Sequence, residues 1–130
     1  MVYLASPYAH KDPFVRGIRW RCAALVYAQL VERGEIIYSP IAIGHPTDMI
    51  YPLPDRLWLG LGLRMVGLCT SIWILALPGW DKSSGIKEER EIAASLKIPE
   101  EFLNPEDFEL RAGLKQLRIA DEEDRRTTKI

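Results

Sequence analysis

Glu89 is the one acid on an otherwise apolar helix face, six residues after Ser83 in the run Pro78-Gly79-Trp80-Asp81-Lys82-Ser83-Ser84-Gly85-Ile86-Lys87-Glu88-Glu89. At about 100° per residue, a helix from 85 to about 96 puts Ile86, Ile92, Ala93 and Leu96 on one face, with Glu89 near its centre. Glu88 falls to one side and Glu91 nearly opposite. Burying a carboxylate costs several kcal/mol unless it is paired or borders a cavity. Two readings follow: a structural ion pair, or a functional acid kept at a cost in stability.

The residues before it sharpen the second reading. Ser83, Ser84 and Gly85 at a helix start offer hydroxyls and free backbone N–H groups, which either cap the helix or hold a phosphate or other anion. Glu89 lies one turn further in. A carboxylate near an electropositive helix start is expected to keep a low pKa and stay ionised, which suits a nucleophile or a stabiliser of an oxocarbenium ion. His45, with an ordinary pKa of about 6.5, is a candidate acid at neutral pH or a bystander. Of the tryptophans, Trp73 reads as core, and Trp80, in the loop before Ser83, is the better candidate to stack on a ring. His10 and His45 lack paired ligand spacing, so no metal site and no cofactor are expected.

The elements that must position these groups alternate. Residues 2 to 5 read as a short apolar strand ending in Ser6-Pro7-Tyr8. Asp12-Pro13 then starts a helix with Phe14, Val15, Ile18, Cys22, Leu25 and Val26 as its stripe, stopped by Gly34. Residues 35 to 38 read as a second strand, and 39 to 56, rich in Pro and Gly, as a binding or lid loop carrying His45, Asp48 and Asp55. A helix from about 56 to 68 leads to the apolar run 71 to 77, typical of a parallel strand buried on both faces. After the helix that carries Glu89, a short strand within 97 to 103 and a helix from 105 to about 117 follow.

This alternation predicts an α/β fold: an open parallel sheet with helices on both faces, a Rossmann- or flavodoxin-like three-layer sandwich. Ligands of such sheets bind beyond the carboxyl ends of the strands. Ser6-Pro7-Tyr8, Ser39-Pro40 and the Pro78 to Gly85 loop each follow a strand and are therefore expected to converge on one edge. With 130 residues, 48% hydrophobic, the chain suits one domain, placed at 1–118, with 119–130 a polar tail.

Composition excludes several functions. A net charge of −1 gives no basic field for duplex nucleic acid or an anionic membrane, and no apolar run is long enough to span one. Cys22 and Cys69 lie in apolar patterns and read as buried free thiols, which suits a reducing compartment. Met1 leads straight into Val2-Tyr3-Leu4-Ala5 without a secretory leader, and a cytoplasmic location is expected.

Tyr3-Leu4-Ala5-Ser6-Pro7-Tyr8, and Ser83-x-Gly85-x-x-x-Glu89 followed by Ala93, resemble the nucleoside 2-deoxyribosyltransferase superfamily. The lead-in Leu77-Pro78-Gly79-Trp80 resembles a small bacterial and phage branch of it. The resemblance covers roughly residues 2 to 96 and implies cleavage or transfer at the N-glycosidic bond of a 2-deoxynucleoside or its 5′-monophosphate. Glu89 would attack the anomeric carbon, with Tyr3 beside it. Ser83 and Gly85, with the loop of Ser6 and Tyr8, would hold a phosphate, and a homo-oligomer is implied. Two departures stand out: Gly62 and Thr70 occupy positions where the family usually carries aspartates, leaving Asp48, Asp55, Asp81 or His45 to substitute. A nucleotide-binding module without chemistry, cleavage of the nicotinamide ribosyl bond of NAD, and a protein scaffold are the competing expectations.

Overall fold

The computed structural model describes residues 1–127. Within these residues, four parallel strands form one sheet: β1 (Val2–Ala5), β2 (Ile37–Tyr38), β3 (Ser71–Leu75) and β4 (Glu100–Leu103), in the order β2-β1-β3-β4. Among the described residues, five α-helices accompany them: α1 (Pro13–Glu32), α2 (Pro40–Ile50), α3 (Asp55–Val66), α4 (Ser84–Ser95) and α5 (Gly113–Thr127). The chain steps from β1 outward to β2, then returns past β1 to β3. The carboxyl ends of β1 and β3 therefore flank the point where the winding reverses.

Alternation along the strands divides the core in two. Leu4 and Leu75 turn to one face and pack with Val15, Ile18, Cys22 and Val26 of α1 and with Leu114 and Leu117 of α5. Tyr3, Ala5, Ile72 and Ile74 turn to the other, against Val66 of α3 and Ile86 and Ala93 of α4. This is the expected open α/β sheet with helices on both faces. Both thiols are free and buried. Among the described residues no helix is long and apolar enough to cross a membrane.

Local signals set several boundaries. Asp12 caps α1 by accepting from the Phe14 N–H at 2.9 Å, with Pro13 in the first turn, and Gly34 leaves the helix at φ +90°. Phe14, expected on the buried stripe, is 64% exposed, because the stripe begins one residue later at Val15. Leu96 is also exposed, since α4 ends at Ser95 and Leu96 is its C-cap.

Two segments differ from the sequence expectation. Residues 40–50, read as loop, are helix α2. Ser39 caps it through the Ala42 N–H, Pro40 occupies the first turn, and Gly44 faces the Trp58 ring. Pro46 inside the helix costs about 3 kcal/mol, and packing against α1 and α3 offsets it. At the other end, Pro105 starts only a short turn, Pro105–Asp107, capped by Asn104. Phe108 is extended and Arg111 sits at φ +57°, so the helix restarts at Gly113, close against the Cys22 Sγ. It then runs through Thr127, held by Leu114 and Leu117 and by the Asp121–Arg125 ion pair at 2.9 Å. Residues 119–127 of the expected tail are thus helical, and 128–130 lie outside the described residues.

Candidate functional site

Tyr3 from β1 and Glu89 from α4 meet beneath α3. The Tyr3 hydroxyl donates a hydrogen bond to the Glu89 carboxylate, and the two side chains are 0% and 7% exposed. Glu89 shares the inner face of α4 with Ile86 and Ala93, where the helical spacing puts it.

Its electrostatics differ from the sequence expectation. Burial pushes the Glu89 carboxyl up to about 7, against the hydrogen bond from Tyr3, which pulls it down, with Glu88 adding a little upward. The low pKa expected from the helix start is overturned because Ser84 opens the helix and Glu89 lies beyond its first turn, where the dipole has faded and desolvation dominates. Burial and the Glu89 charge together raise the Tyr3 phenol far above its ordinary value. Tyr3 therefore stays protonated and serves as donor.

Gly62 of α3 closes the pair from the third side. A Cβ there would come 2.7 Å from the Tyr3 Oη and 4.0 Å from the Glu89 Oε2. The missing side chain is what leaves room for the Tyr3 hydroxyl. Thr70 sits at the surface, with its hydroxyl on the Met1 carbonyl at 3.3 Å. Two of the alternative acids are occupied elsewhere: Asp48 accepts from the Leu53 N–H and the Trp58 indole, both at 2.8 Å, and Asp81 faces Arg125 at 3.5 Å.

Ser83 is the N-cap of α4 and accepts from the Ile86 N–H at 3.2 Å. A Cβ on Gly85 would meet only the Ser83 Oγ, at 3.8 Å, so the helix start is open on that side. Ser6, at the end of β1, is 5% exposed, and its hydroxyl has no hydrogen-bond partner among the described residues.

Tyr8 and His45 form a separate cluster, hydrogen-bonded at 2.6 Å, with the imidazole stacked on Trp20 at 4.9 Å. Burial and the nearby Arg16 push His45 below its ordinary value, so it is neutral at pH 7 and a weak candidate for the expected acid. No hydrogen bond or ring contact among the described residues joins this cluster to Tyr3 and Glu89. Trp80 packs edge-on to Phe102 at 5.1 Å, with Arg90 over its ring at 5.9 Å. It lines a groove of about 580 Å³ at the carboxyl ends of β3 and β4, with Pro78, Phe102, Asn104, Arg118 and Arg125. Glu89, Tyr3, Ser83 and Gly85 do not line that groove.

Sequence reasoning missed two neighbours. Tyr38, paired in register with Tyr3, holds its ring 5.7 Å away, and Trp20 underlies His45. The strand register of Tyr38 was the available signal; nothing local marks Trp20.

A family model described as a domain of unknown function, DUF1937, matches residues 1–100. The chain belongs to the DUF1937 family. No curated protein matches it. The span matched to DUF1937 takes in Tyr3, Gly62, Ser83 and Glu89, so β1, α3 and the start of α4 all fall inside it. Helix α5 of this DUF1937 protein lies after the matched residues.

Proposed function

We propose that this DUF1937 protein cleaves or transfers the N-glycosidic bond of a 2-deoxynucleoside or its 5′-monophosphate. Glu89 is the nucleophile at the anomeric carbon, and Tyr3 holds it. The observation that carries this reading is the buried carboxyl of Glu89 taking a hydrogen bond from Tyr3, a turn inside the helix start at Ser83. A carboxylate that is desolvated and held by one donor is a stronger nucleophile than one in water. Ser83, Gly85 and the unpartnered hydroxyl of Ser6 are the groups for the ligand's sugar or phosphate. Tyr8, His45 and Trp80 form the outer contacts.

A second reading is a nucleotide-binding module without chemistry. Gly62 favours it, because the position next to Tyr3 and Glu89 carries no side chain that could assist departure of the base.

Self-association and a cytoplasmic setting belong to the same proposal. Met49, Ile50, Tyr51, Leu57 and Leu61 are all exposed on or between α2 and α3, an apolar area suited to a second copy. Two buried free thiols suit a reducing compartment.

Chromatography after incubation with deoxynucleosides, their 5′-monophosphates and NAD tests the reading. Free base appearing with the unsubstituted protein and not with Glu89→Gln supports it. Saturable nucleotide binding with no release supports the module, and release of nicotinamide from NAD alone would redirect the substrate.

A further inference from the structure

Among the described residues, Tyr38 is the tyrosine whose ring packs on Tyr3 of the Tyr3–Glu89 pair. Register pairs Tyr38 of β2 with Tyr3 of β1, so the two side chains leave the same face of the sheet. Their rings lie 5.7 Å apart, inclined at 41°. Tyr3 is fully buried, with its hydroxyl spent on Glu89. Tyr38 is half-buried, and its hydroxyl has no hydrogen-bond partner among the described residues. A half-buried donor packed on the ring of the buried Tyr3 is available to a group that comes from solvent.

We propose that the Tyr38 hydroxyl is a substrate-contacting donor that hydrogen-bonds the departing nucleobase, supplying the assistance that Gly62 and Thr70 do not. This rests on the glycosidic reading above. In that step a Glu89 oxygen forms a bond to the anomeric carbon as the carbon–nitrogen bond breaks. The bonding electron pair stays on the base nitrogen. Tyr38 donates a hydrogen bond to an acceptor on the base, water supplies the proton that completes the free base, and the remaining hydroxide displaces Glu89 from the anomeric carbon to release deoxyribose or its 5′-phosphate. Burial, with Cys69 and Glu89 nearby, raises the Tyr38 phenol, which keeps it protonated and suits a hydrogen-bond donor better than a proton-transferring acid.

The test is base release by the unsubstituted protein and by Tyr38→Phe. Substrates are the four deoxynucleosides and their 5′-monophosphates, beside the 7-methylguanine counterparts, whose cationic base departs without help. Phenylalanine keeps the ring and removes a hydroxyl that has no hydrogen-bond partner among the described residues, so the melting temperature should hold. The expected result is a loss of about 10²-fold in kcat on ordinary bases and a much smaller loss on 7-methylguanine. An unchanged kcat, or an equal loss on both kinds of base, overturns the role of Tyr38 while leaving the glycosidic reading in place. No base release by the unsubstituted protein from any substrate overturns that reading, and the role of Tyr38 with it.

Discussion

The Tyr3 hydroxyl donates to the Glu89 Oε2 across 86 positions of sequence, tying the first strand to the helix that follows the third. The contact puts a carboxyl inside the protein with one strong donor and only 7% of the residue exposed. Its titration, its dependence on Tyr3 and the space beside it each give an expected outcome.

Stability should fall as pH rises through the slightly acidic range. Glu89 has a folded pKa of about 7 against an ordinary 4.5, so the folded state holds its proton more tightly than the unfolded chain. Its contribution is therefore fully present below pH 4.5 and is lost as pH rises to about 7. The size is on the order of 3 kcal/mol. Denaturant melts from pH 5 to 8 should show this slope in the native sequence and its disappearance in Glu89→Gln; parallel slopes would contradict the assignment.

Under the proposed mechanism the nucleophile must be ionised, so kcat/KM for base release should climb with pH and level off above about 7. Tyr3→Phe removes the interaction that lowers the Glu89 pKa and leaves the carboxyl without its donor. The variant should lose about 1–3 kcal/mol of stability at pH 8 and shift the rising limb of the profile upward. A limb that stays in place would show that Tyr3 does not control Glu89.

Gly62→Ala sets helix propensity against sterics. Alanine favours a helix by up to about 1 kcal/mol over glycine. Its Cβ would lie 2.7 Å from the Tyr3 Oη, at the tip of a fully buried ring with nowhere to swing. Sterics win: about 1–3 kcal/mol of destabilisation and a displaced Tyr3 are expected, read from the melting midpoint and from a shifted pH profile. A stabilised variant would mean that Tyr3 can move freely.

Gly79→Ala probes the joint between the loops after β1 and β3. Gly79 sits at φ +91°, and a Cβ would come 2.8 Å from an Nη of Arg19, a buried guanidinium whose other Nη bonds the Ala9 carbonyl at 2.8 Å. Backbone strain and the clash add, so a loss of about 2 kcal/mol or more is expected in a thermal or denaturant melt. Little change would mean that Arg19 yields easily and does not hold the two loops together.

Much of the architecture was legible locally. The Asp12-Pro13 start, the Ser83 cap, the alternation of strands and helices and the position of Glu89 on an inner helix face depend on residues within a few positions of one another. Helix α2 was not legible, since its prolines and glycine oppose a helix until Ser39 caps it and α1 and Trp58 cover it.

What the sequence by itself determined is the α/β order and the burial of one glutamate, because periodicity and caps act through the backbone over one or two turns. What only the tertiary structure decided is the state and company of that glutamate. Its raised pKa comes from desolvation by elements distant in the chain, and its bond with Tyr3, the space left by Gly62 and the packing of Tyr38 on Tyr3 arise from strand register and helix packing. No spacing within α4 carries that information.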